Sequence, residues 1–189
     1  MSVPSFRLDG QVAVVTGASS GLGVILAAAL AEQGCRLVLA ARRAELLERV
    51  CAELCANGAE AVAVPSDVAD PGHAELLVAS ALSTYGRLDG VVANAGIADG
   101  IAAEQATPAL YDQVFRVNVT AGANLAGAAA RHMIAAGTPG WIIMQSSILA
   151  RKAGTGGGVA AYTASKAATE QLVRELARQW ARFNIRVNA

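Results

Sequence analysis

The chain has 189 residues, 54% hydrophobic but only 4% aromatic, a length suited to one domain with a core of Ala, Val, Leu and Ile. Its 15 basic and 15 acidic residues give zero formal net charge, without the basic stripe that a nucleic-acid partner leaves. Cys35, Cys51 and Cys55 form no disulfide or metal pattern, no apolar run approaches the ~18 residues of a membrane span, and residues 1–11 lack a signal-peptide pattern, so the expected setting is reducing, soluble and cytoplasmic, with no metal and no membrane.

Residues 12–15 are apolar and β-branched and read as a buried strand. Thr16-Gly17-Ala18-Ser19-Ser20-Gly21-Leu22-Gly23 follows, and a helix is expected over 24–33, closed by Gly34. Strand, glycine-rich turn and helix form a candidate nucleotide site, because bare backbone and free helix N–H groups accept a pyrophosphate. The glycine spacing is not G-x-G-x-x-G, so a purely structural turn is an equal reading of these residues alone.

A second strand is expected over Arg36–Ala41, ending in Arg42-Arg43 without an acid. An acid there would bond a ribose 2′-hydroxyl, whereas an arginine suits a 2′-phosphate, which favours NADP(H); solvated charges at a helix start are the alternative. Ala44–Ala56 reads as an amphipathic helix with Leu46, Leu47, Val50 and Leu54 on one side. A third strand over 59–64 leads into Ser66-Asp67-Val68. Asp70 and Pro71 are expected to open the next helix, as N-cap and first-turn proline, with His73 exposed near its start and Gly86 at its end. A fourth strand over 88–93 runs into Asn94-Ala95-Gly96.

One long helix is expected over 108–136, with Asn118 inside it. A mid-helix Asn either diverts backbone hydrogen bonds or is a plain surface residue. His132 reads as exposed or compensating the helix dipole. A fifth strand over 141–145 precedes Ser146-Ser147, and glycines at 154–158 read as a loop. A helix over 159–183 carries Tyr162 and Lys166, four apart and therefore on one face. A neighbouring ammonium favours the phenolate, so the pair suits general acid/base chemistry; ordinary helix-face neighbours are the alternative. A sixth strand begins at 185–187. The strict alternation predicts an α/β fold, a doubly wound parallel (Rossmann) sheet covered by helices on both faces.

Together these motifs resemble the short-chain dehydrogenase/reductase family over essentially the whole chain. The resemblance rests on the turn from Thr16 to Gly23, Asp67-Val68, Asn94-Ala95-Gly96, Asn118, Ser147, Tyr162-x-x-x-Lys166 and the terminal Arg186-Val187-Asn188-Ala189. It implies that Gly17, Ser19, Ser20, Gly21, Leu22 and Gly23 form the diphosphate turn, and that Asp67 and Val68 flank the adenine. Asn94, Ala95 and Gly96 would support the cofactor at the sheet edge. Tyr162 would exchange a proton with the substrate oxygen, and Lys166 would hold the nicotinamide ribose and lower the Tyr162 pKa. Ser147 would hydrogen-bond that oxygen, with Ser146 the competing position, and Asn118 would help hold a relay water.

The implied activity is reversible hydride transfer between NADP(H), favoured over NAD(H), and a small-molecule carbonyl or secondary alcohol. A nucleotide-binding module without turnover, or an inactive fragment, is the alternative. Many NADP-preferring members carry a basic residue where this chain has Ser20, which leaves phosphate recognition to Arg42. The two long helices resemble those that pair members into homodimers or homotetramers. Members continue past the position of Ala189 into a substrate-binding segment and a last strand. The expected organisation is therefore one NAD(P)-binding domain over 1–189, truncated at its C-terminus.

Overall fold

The computed structural model describes residues 6–154 and 158–189. Part of the loop expected at 154–158 therefore lies outside the described residues. Six strands, β1 (Val12–Thr16), β2 (Arg36–Ala41), β3 (Ala61–Pro65), β4 (Gly90–Ala93), β5 (Gly140–Met144) and β6 (Ile185–Asn188), form one sheet in the order β3-β2-β1-β4-β5-β6. Every pairing is parallel. The helices are α1 (Leu22–Glu32), α2 (Ala44–Ala56), α3 (His73–Tyr85), α4 (Pro108–Phe115), α5 (Ala121–Ala136) and α6 (Ala160–Trp180).

Side chains alternate across a strand, and both faces of the sheet are used. Val12 and Val14 of β1 pack with α3, α5 and α6, whereas Ala13 and Val15 pack with α1 and α2. The second layer covers β1, β2 and β3 and reaches Val92 of β4, with Trp141 of β5 packed at its margin. On that face Val92, Ile143 and Asn188 share one register row, and Ile143 is 39% exposed. The sheet order reverses between β1 and β4, and this switch point opens a crevice at the C-terminal ends of the strands.

Four expectations are corrected. α3 begins at His73 with Gly72 in the cap position, and Asp70 belongs to the preceding turn, where its N–H bonds the Asp67 carbonyl. His73 is buried, not exposed: its Nδ1 lies 2.9 Å from the Asp70 carbonyl and its Nε2 lies 3.2 Å from the Ala121 carbonyl. Carbonyls from two separate segments face the ring, and a neutral imidazole donates to one of them, which offsets its burial. The helix expected over 108–136 is interrupted by a π-helical stretch, Arg116–Thr120. Leu46 is exposed, because Leu47 takes the inward position of α2.

Candidate active site

The crevice at the switch point is a cleft of about 800 Å³. Its floor is the turn from β1 into α1. Gly17 and Gly21 have φ of +69° and +58°, a left-handed region open to glycine. A Cβ on Gly17 would come within 2.8 Å of Asn94 Nδ2 and 2.9 Å of the Ala95 Cα, so the turn lies directly on the Asn94-Ala95 backbone. Asn94 Nδ2 donates to the Thr16 carbonyl at 2.9 Å. Thr16 Oγ1 accepts from the N–H groups of Asn94 and Ala95, both at 3.1 Å. Thr16 thus pins the loop after β4 to the glycine turn, a role its position at a strand end does not announce.

No side chain caps the start of α1. Its first N–H groups and the positive end of its dipole face the cleft beside Ser19, Ser20 and Gly23. Past β2, Arg43 Nη2 donates to Ser20 Oγ at 2.6 Å and to Ser19 Oγ at 3.2 Å. Arg42 lies 4.0 Å from Asp67 Oδ2, with its side chain 69% exposed. Asp67 Oδ1 accepts from the Ala69 N–H at 2.9 Å, which shapes the loop after β3. Ser66 Oγ, on the same wall, is buried without a partner among the described residues. Bare glycine backbone, uncapped helix N–H groups, two arginines and an unpaired hydroxyl fit a phosphorylated dinucleotide, which these residues could hold.

Beside the cleft stand the residues expected to carry the chemistry. A Cβ on Gly96, which lines the cleft, would lie 3.3 Å from Asn118 Oδ1 and 3.6 Å from Lys166 Nζ. Lys166 is 3% exposed, its Nζ donates to the Gln145 carbonyl at 2.6 Å, and burial holds its pKa below the usual lysine value. That Nζ lies 5.7 Å from the centre of the Tyr162 ring.

The π-helical stretch turns Asn118 inward, where it is 5% exposed. Its Oδ1 accepts from the Ile97 N–H at 2.8 Å, and its Nδ2 donates at 2.9 Å to both the Ile97 carbonyl and Ser165 Oγ. Ser165 Oγ in turn donates to the Tyr162 carbonyl at 2.7 Å. The two serines after β5 differ. Ser146 Oγ donates to Glu170 Oε1 at 3.1 Å, and Glu170 also holds Arg151. Among the described residues Ser147 Oγ only accepts, from the Leu149 N–H at 3.2 Å, and its own proton is uncommitted there.

Comparisons with known proteins follow the same lines. A family model described as short chain dehydrogenase matches residues 11–189. Versicolorin reductase 1 of Aspergillus parasiticus is 40% identical over 184 residues, which cover 97% of this chain and 69% of that protein. A crystal structure of a short-chain type dehydrogenase/reductase from Mycobacterium marinum superposes with a TM-score of 0.94 at 33% identity, covering 97% of this chain and 74% of that one. A metagenomic short-chain oxidoreductase in complex with NADP gives a TM-score of 0.87 at 39% identity, over 95% of this chain and 80% of that one.

Proposed function

The chain belongs to the short-chain dehydrogenase family of nucleotide-dependent oxidoreductases, and we propose that it transfers hydride reversibly between NADP(H) and a carbonyl or secondary alcohol, with Tyr162 as the proton donor and acceptor. The observation that carries this reading is the pairing of Tyr162 with a buried Lys166 on one face of α6, Lys166 Nζ lying close to Gly96 of the cleft.

The bound nicotinamide supplies the hydride; the chain supplies orientation and charge. Gly17, Ser19, Ser20, Gly21, Leu22 and Gly23 hold the diphosphate against the start of α1. Asp67 and Val68 hold the adenine, and Asn94, Ala95 and Gly96 form the edge between the two halves. Lys166 steadies the ribose and attracts the negative charge that develops on the Tyr162 oxygen. Ser147, with its uncommitted hydroxyl, donates to the substrate oxygen as charge accumulates there. Both amide hydrogens of Asn118 go to Ile97 and Ser165, while its Oδ1 accepts from the Ile97 N–H and keeps a second acceptor position, so it holds the site in shape and helps hold a relay water. A preference for NADP(H) over NAD(H) is supported by two arginines at the end of β2, where no acid stands.

The decisive experiment is Tyr162→Phe, assayed with NADPH against a panel of aliphatic ketones, diketones and bicyclic aromatic ketones. The expected loss of turnover is about 10²–10⁴-fold, the range for a positioned proton donor. NADPH affinity, followed by fluorescence, stays within about threefold because the missing hydroxyl leaves the glycine turn untouched. Full turnover by the phenylalanine variant would sink the mechanism.

A further inference from the structure

α6 begins without a cap of its own: Val159 offers no side-chain acceptor. First-turn N–H groups have no partner inside their helix. One of them, the N–H of Tyr162, donates to Asp99 Oδ1 at 3.0 Å. Asp99 lies 63 residues earlier in the chain, in the loop that follows β4. The same loop lines the cleft through Gly96 and Ile97. Two further contacts fasten it. Asn118 grips Ile97 through both of its backbone polar atoms. Gly158, just before α6, sits so close that a Cβ there would come within 2.7 Å of the Gly100 carbonyl carbon.

Both backbone polar atoms of Tyr162 are thereby held. Its N–H is taken by Asp99, and its carbonyl by Ser165, which is itself held by Asn118. The second oxygen of Asp99, Oδ2, is buried with no hydrogen-bond partner among the described residues. Such an oxygen is costly to keep, and the favourable placement of a carboxylate at a helix N-terminus offsets that cost.

We propose that Asp99 is a positioning residue: its carboxylate caps α6 through the Tyr162 N–H and keeps the tyrosine in register with the loop that lines the cleft. The proposal rests on the assignment of Tyr162 as proton donor. Asp99 touches the tyrosine-bearing helix and not the glycine turn, so its loss acts on turnover and spares cofactor affinity. Small misplacements of a reacting group are expensive in rate.

The test compares Asp99→Ala, which removes the acceptor, with Asp99→Asn, which keeps an oxygen in its place. Each is measured for kcat and for the KM of NADPH, using the panel carbonyl that the unaltered chain reduces fastest. Hydrogen exchange at the Tyr162 amide is followed in parallel. Asp99→Ala is expected to lower kcat about tenfold and to raise exchange at that amide about tenfold, in keeping with loss of a helix cap. The KM for NADPH stays within about twofold, and Asp99→Asn recovers both losses to within about threefold.

Unchanged kcat or unchanged amide exchange in folded Asp99→Ala overturns the proposal, as does an Asn variant as impaired as the Ala variant. If Asp99→Ala does not fold, Asp99→Asn decides alone: retained turnover and retained amide protection support the cap, and loss of either overturns it. Tyr162→Phe in the same series separates the two claims. An active phenylalanine variant removes the proposed function, while amide exchange still decides whether Asp99 holds the helix.

Discussion

Arg42 and Arg43 are adjacent in the chain, yet the fold gives them different partners. The sequence points to Arg42, the first cation past the end of β2. In the folded chain Arg42 leans toward Asp67, and the Arg43 guanidinium lies on the hydroxyls of Ser19 and Ser20 in the glycine turn. A guanidinium pre-placed over that turn is well suited to a phosphate, because its fork of donors matches phosphate oxygens. We therefore expect Arg43→Ala to weaken NADPH binding about tenfold or more while leaving NADH within about twofold, by analogy with the loss of a charge-assisted contact. Parallel fluorescence titrations with the two cofactors check this, and equal losses for both would assign Arg43 to shaping the turn instead. No motif singles out Asp99, and the motif that contains Thr16 does not announce the role of its hydroxyl, because each acts through a backbone N–H that lies far away in sequence.

At the scale of elements, close approach between neighbours constrains residue choice. Register pairs Gly90 of β4 with Trp141 of β5, and a Cβ on Gly90 would strike the indole ring. The ring cannot swing away freely, because Trp141 Nε1 donates to Gln11 Oε1 at 2.9 Å. Gly90→Ala is thus expected to destabilise the chain by about 1–3 kcal/mol, the usual cost of overpacking. Urea unfolding measures it, and an unchanged midpoint would show that the indole has room to move. The π-helical stretch Arg116–Thr120 is the other feature of this scale. A helix over the whole of 108–136 was legible from periodicity, but the extra residue in one turn, which turns Asn118 toward Ile97 and Ser165, has no signature in the pattern.

For the whole molecule, the doubly wound sheet sets where everything else goes. The switch between β1 and β4 gathers the loops after β1, β2, β3 and β4 around one cleft. The outer side of the α4–α5 segment carries the exposed Tyr111 and Ile134. The expected assembly is a homodimer or homotetramer paired through α4, α5 and α6, since closed symmetric assemblies are the common form of oligomers. Light scattering at high protein concentration is expected to give at least twice the chain mass, and a monomer there would contradict the assignment.

The sequence by itself determined the strand–helix alternation, the glycine turn and the Tyr162–Lys166 spacing. These are local properties: alternation, steric freedom and helical period act over a few residues, so they are written in neighbouring letters. Only the tertiary structure decided that His73 is buried, that Asn118 is a clamp rather than a surface residue, and which of two adjacent arginines meets the serines. It also decided that Asp99 caps α6. Each of these depends on a partner 21 to 63 residues away: Ile97 for Asn118, Ser19 and Ser20 for Arg43, Ala121 for His73 and Tyr162 for Asp99. The packed sheet brings those partners together, and burial then makes their hydrogen bonds obligatory.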